Sequence, residues 1–168
     1  KMNIDLMTLN AHKIHGPKGV GALYIRESVK ISPLLHGGGQ EKGYRSGTEN
    51  VAGIIGFAEA VKLTSKKYIR QMQELRDKLI EGILKIPGTR LNGAREKRLC
   101  NNINISFGNI EGYAIGSYLD AYGICSSTGS ACSSHTLESS HVLKAIRLSD
   151  LQANTSLRLS LSKYNTKE

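Results

Sequence analysis

Residues 4–25 read IDLMTLNAHKIHGPKGVGALYI, and this stretch decides the fold class. Ile4-Asp5-Leu6-Met7-Thr8-Leu9 alternates apolar and polar residues, the period of a short strand. Val20-Gly21-Ala22-Leu23-Tyr24-Ile25 is continuously apolar and reads as a buried strand. Between them lies a polar turn, Asn10 to Gly19, punctuated by Gly16-Pro17 and Gly19. Val29 to Leu35 reads as a further short extended piece. Outward from there the pattern changes to helix. Thr48 is read as an N-cap with Glu49 in the first turn. Tyr68, Met72, Leu75, Leu79, Ile83 and Ile86 fall at helical spacing, and Pro87-Gly88 stops that run. Thr64-Ser65 marks a kink or a domain border.

Arg90 to Arg98 reads as a basic loop. Ile103, Ile105 and Phe107 alternate as a strand, Glu111 to Tyr122 is helical, and Ile124-Cys125 is a brief strand. Leu137 to Ile146 reads as a helix, Ser149 caps another, and Leu157, Leu159 and Leu161 alternate as the last strand. Strands interleaved with helices make the chain α/β.

The chain has 168 residues, 39% of them hydrophobic, so a packed core without disulfide staples is attainable. No run of 18 apolar residues occurs, which excludes a spanning helix and sets membranes aside as partners. A formal charge of +9 favours anionic partners. Aromatics make up 5% and do not interleave with the basic residues, which argues against a single-strand nucleic-acid platform. Three cysteines without C-x-x-C argue against a secreted disulfide framework and for a reducing, cytoplasmic setting. The N-terminus is neither a signal nor a transit peptide. The chain opens on Lys1 and closes on polar residues soon after an apolar alternation, so both ends read as cut.

Four constellations can carry chemistry. Lys13, beside His12 in the first turn, has the residue type that attacks an aldehyde; an ordinary surface lysine reads the same way. Gly43-Tyr44-Arg45-Ser46-Gly47-Thr48 offers backbone donors and hydroxyls to a phosphate, or merely caps a helix. Cys132 sits in a run of small polar residues, Ser127 to Ser134, as an accessible thiol would. Its neighbours Cys125, His135 and His141 lack a zinc-finger spacing. Arg158 interrupts an alternating strand and is either a solvent-face charge or a carboxylate clamp. The segment GPKGVG lacks the spacing of a nucleotide P-loop.

Together AHKIHGPKGVGALYIR, LLHGGGQEKGYRSGTENVAGIIGFAEAV, STGSACSSHTLESSHVLKAI and SLRLSLSKYNT resemble the cysteine desulfurases of the NifS/IscS type, in the class V group of pyridoxal-phosphate enzymes. The motifs stand in the family's order, over the later part of its fold. The resemblance implies a fold-type I fragment. Residues 1–62 would end the large cofactor domain, with the lysine and phosphate loops. Residues 63–168 would form the small C-terminal domain with the cysteine loop.

It implies pyridoxal 5'-phosphate held as a Schiff base on Lys13, with His12, Asn10 and Thr48 as further cofactor ligands. Thr48 would reach the neighbouring subunit's phosphate, hence a homodimer. Arg158 would clamp the carboxylate of L-cysteine. Cys132 would take the sulfur as a persulfide, leave L-alanine, and hand the sulfur to an iron–sulfur scaffold or a thio-modification acceptor. The isolated fragment is expected to be inactive. A non-catalytic dimer or scaffold module without cofactor, and a selenocysteine lyase-like enzyme, are the other readings. Asn10 stands where the family has Ser, and Tyr44, Ser139, Arg147 and Ser162 stand where it has Arg, Pro, Gly and Gly. Asn10 keeps a donor for phosphate.

Overall fold

The computed structural model describes residues 3–129 and 139–167, and these fall into two compact units, 1–65 and 66–168. In the first, strands β1 (Leu6–Asn10) and β2 (Gly21–Ile25) pair antiparallel, from Leu6 opposite Ile25 to Asn10 opposite Gly21. The connecting turn winds into one 3₁₀ turn, Ala11–Ile14. Helix α1 (Val51–Leu63) completes this unit.

Three expectations are corrected here. Strand β2 is not buried: Leu23 and Tyr24 are each 47% exposed. A two-stranded ribbon has too little sheet to cover its own apolar side chains. Residues 29–35 form no strand, since they join no β-ladder among the described residues. The cap of α1 is Asn50, not Thr48: Asn50 Oδ1 accepts the Gly53 N–H at 3.0 Å. Asn caps at least as well as Thr, and from position 50 it reaches the third helical residue.

The second unit is an antiparallel three-stranded sheet in the order β3 (Thr89–Leu91), β4 (Asn102–Phe107), β5 (Ser156–Ser160). Amphipathic helix α2 (Ile69–Ile83) lies on one face. Ile80, Ile103 and Ile105 form the buried cluster, with Leu79, Ile83, Leu91, Phe107 and Leu159 packed around them. Helix α3 (Gly112–Ala121) begins against β5, so closely that a Cβ on Gly112 would collide with the Ser156 carbonyl. Short helices α4 (His141–Ala145) and α5 (Asp150–Asn154) share a small cluster of Leu143, Leu148 and Ala153. Ser149 and Gln152 cap α5 reciprocally, a full capping box.

Here too the sequence reading needs amendment. Strand β3 overlaps the start of the basic loop, paired Leu91 to Ile105 and Thr89 to Phe107. Ile124-Cys125 is not a strand; only Ser127, two residues later, bridges to Arg158. Of the helix expected over 137–146, residues 137 and 138 lie outside the described residues, and the remainder is helical from His141. No helix of the described residues is long and apolar enough to cross a membrane.

Candidate functional site

The lysine turn is fixed in its backbone and open in its side chains. Ala11 is fully buried and its N–H donates to the Val20 carbonyl at 3.2 Å. Gly16 N–H donates back to the Ala11 carbonyl at 2.9 Å. A Cβ on Gly16 would stand 3.0 Å from the Ala60 Cβ of α1, and one on Gly56 of α1 would stand 2.6 Å from Pro17 Cγ. The turn is therefore seated on a small-residue face of the helix. His15, in the left-handed region (φ 65°), reverses the chain. Asn10, His12 and Lys13 project from this seat, all exposed. A primary amine, an imidazole and an amide on one rigid turn are suited to an aldehyde that also carries a phosphate. The donor set thus fits pyridoxal phosphate.

The glycine-rich segment of the same unit is folded by Gln40, whose Oε1 accepts the Gly47 N–H at 3.0 Å. The Ser46 N–H donates to the Leu35 carbonyl at 3.3 Å. Thr48 follows, exposed, two residues before the cap of α1.

Arg158 belongs to the second unit, on β5. Its N–H and C=O both engage Ser127, at 2.6 and 3.0 Å. They therefore point away from β4, and Arg158 faces Asn104 across the sheet as a non-hydrogen-bonded pair. In such pairs the Cα atoms approach to about 4.5 Å and the side chains lie together on one face. Asn92 extends this row, its N–H donating to the Asn104 carbonyl at 2.9 Å. Asn92, Asn104, Thr128, Gly129, His141 and Arg158 line a cleft of about 780 Å³. Among the described residues its charged lining is Lys97, Arg98 and Arg158 with one carboxylate, Glu111.

The two arginines of the cleft differ. Arg98 donates to three main-chain carbonyls, Ala94 and Asn92 at 2.7 Å and Asn102 at 3.3 Å. Burial first, then Arg76 and Arg95, lower its pKa. It ties down the 92–102 connection. The Arg158 guanidinium has no protein partner among the described residues and faces the cleft, the disposition an incoming carboxylate needs.

Asn10, His12 and Lys13 thus share one turn, Thr48 lies in the same unit, and Arg158 lies in the other. Cys132 lies outside the described residues. The stem that leads to it, Ser127 to Gly129, is anchored on the backbone of Arg158 itself. Sequence reading passed over Asn92 and Asn104. The signal was present, because alternation of Ile103, Ile105 and Phe107 into the core puts Asn104 on the opposite face.

The protein-family profile described as aminotransferase class-V matches residues 1–168. The chain belongs to the class-V aminotransferase family. That family uses pyridoxal phosphate. A cysteine desulfurase IscS of Methanosarcina thermophila is 53% identical over 171 residues, covering 100% of this chain and 42% of its own. A cysteine desulfurase IscS 1 of Archaeoglobus fulgidus is 49% identical, covering 100% and 45%. A solved NifS-like protein superposes with a TM-score of 0.85 at 40% identity, over 99% of this chain and 43% of that one. SspA, solved in complex with cysteine, superposes with a TM-score of 0.71 at 34% identity, over 98% and 46%. This class-V chain therefore spans less than half the length of these relatives. Its mixed α/β fold is a fragment of fold type I.

Proposed function

We propose that this chain is the lysine-bearing and small-domain portion of a cytoplasmic cysteine desulfurase. In this reading residues 1–62 close the large domain and 63–168 form the small one. The observation that carries it is the lysine turn: a backbone locked onto α1 through Ala11, Gly16 and Pro17, presenting Lys13 and His12 outward. Pyridoxal phosphate, when bound, supplies the electron sink that lets bonds at an amino acid's Cα break. Lys13 holds the cofactor by its amine and, once released, moves the substrate's α-proton. His12 and Asn10 donate to the phosphate, and Thr48 does so across a homodimer. Arg158 grips the α-carboxylate of L-cysteine. The Cys132 thiolate takes the sulfur as a persulfide, L-alanine leaves, and the sulfur passes to an iron–sulfur scaffold or another acceptor.

The test is incubation of the full chain with pyridoxal phosphate, borohydride reduction and peptide mapping. The expected result is a visible absorbance and a pyridoxyl group on Lys13 alone. Label scattered over the surface lysines, or none, overturns the assignment of Lys13. A Lys13→Ala chain with the same spectrum does so equally.

A further inference from the structure

We infer that Asn104 is a second carboxylate-binding residue beside Arg158, its amide turned toward the cleft by a hydrogen-bond relay that starts at the Gln152 carbonyl. The inference rests on the reading of Arg158 as the substrate clamp and names the group that works with it.

The direction of the relay follows from donor and acceptor chemistry. A main-chain carbonyl only accepts. The Ser106 hydroxyl lies 2.7 Å from the Gln152 carbonyl, so its one proton is committed there. Toward Asn92, 2.8 Å away, Ser106 Oγ can then only accept, which fixes the facing atom of Asn92 as Nδ2. The second proton of that Nδ2 goes to Asn104 Oδ1 at 2.7 Å. With its oxygen held by Asn92, Asn104 is left with Nδ2 as its outward group. That amide has no protein partner among the described residues, and Asn104 lines the cleft directly opposite Arg158.

The relay is kept at a cost. Asn92 is 4% exposed, and its Oδ1 is buried without a hydrogen-bond partner. A buried orphan acceptor destabilises a fold, and natural cores keep few of them. An apolar residue at 92 would avoid the orphan but would release Asn104. The arrangement therefore favours donor direction over local stability. What it yields is two donors side by side, a guanidinium and an amide, in a cleft whose charged lining is mainly cationic among the described residues. Their complement is a planar anion with two oxygens, such as an α-carboxylate.

The experiment is a titration of the 168-residue, isotope-labelled chain with L-alanine, followed by NMR at Arg158 Nε and Asn104 Nδ2. Ethylamine, which lacks the carboxylate, is the control. Both resonances are expected to move along one binding curve with L-alanine and not with ethylamine. Asn104→Asp keeps an oxygen for Asn92 but replaces the donor with a second oxygen. It is expected to weaken L-alanine about tenfold or more, with the remaining amide spectrum unchanged. Ser106→Ala, which frees the relay, is expected to weaken it several-fold. Movement at Arg158 alone, with Asn104→Asp binding as well as the parent, overturns the inference and leaves Arg158 as the clamp. Movement at neither residue, or equal movement with ethylamine, overturns both.

Discussion

Replacing Gly56 by Ala tests the claim that the lysine turn is seated on α1. In an ordinary helix interior the change stabilises by about 0.5–1 kcal/mol, because Ala has less backbone freedom to lose. Here the new Cβ would meet Pro17 Cγ at 2.6 Å. Carbon atoms rest about 3.5–4.0 Å apart, so the ring must retreat by about 1 Å. A proline ring has no side-chain rotamer to escape into, so the backbone of the turn must follow. Overpacking of this kind costs about 1–3 kcal/mol, which exceeds the helical gain. The net expectation is destabilisation of the first unit by about 0.5–2 kcal/mol. Gly82 in α2 is the internal comparison: a Cβ there meets nothing within 4 Å, so Gly82→Ala is expected to stabilise the second unit. Urea unfolding followed by amide exchange reads each unit separately. Exchange at residues 11–16 should quicken in Gly56→Ala, and borohydride-trapped pyridoxyl on Lys13 should fall. If Gly56→Ala stabilises as Gly82→Ala does, with exchange at 11–16 unchanged, the seating is wrong.

Ile103→Ala removes a fully buried side chain from the α2–sheet cluster and is expected to cost about 2–5 kcal/mol. Scanning calorimetry should show the transition of the second unit lower by about 8–40 °C, at about 4–8 °C per kcal/mol for a unit of this size. The Asp150 carboxyl is held below its ordinary value, first of all by its hydrogen-bonded ion pair with Lys144. A lowered folded-state value means the contribution is present above about pH 4 and is lost as pH falls through the folded value. An NMR titration should find Asp150 depressed in the parent chain and returned toward 3.8 in Lys144→Ala; an unchanged midpoint would discount the 3.1 Å pair.

Periodicity alone placed α2, α3, β4 and β5, because the apolar residues of each repeat with its geometry. The Ser149 cap was legible for the same local reason. Strand β3 was not. Thr89-Arg90-Leu91 is too short and too charged to declare itself, and it exists because β4 offers it an edge. The cap of α1 was misplaced because Thr48 and Asn50 are both good caps, and only the fold of the glycine loop chooses between them. Burial of β2 was misjudged because apolar continuity reports what a strand is suited to touch, not what this chain supplies. Within the candidate site, Lys13, His12 and Arg158 stood out by residue type. Asn92 and Asn104 did not, since an asparagine in a strand carries no chemistry until its neighbours fix which end of the amide points where.

The β1–β2 ribbon has one more consequence. Its two outer edges have no strand partner among the described residues, and Leu6, Leu9, Leu23 and Tyr24 stand 41–47% exposed beside them. Such a ribbon is a template that accepts any extended apolar segment presented to it. During refolding, the open edge of one copy can pair with that of another. Yield of this chain should therefore depend on its concentration, and dilution should rescue it more effectively than cooling.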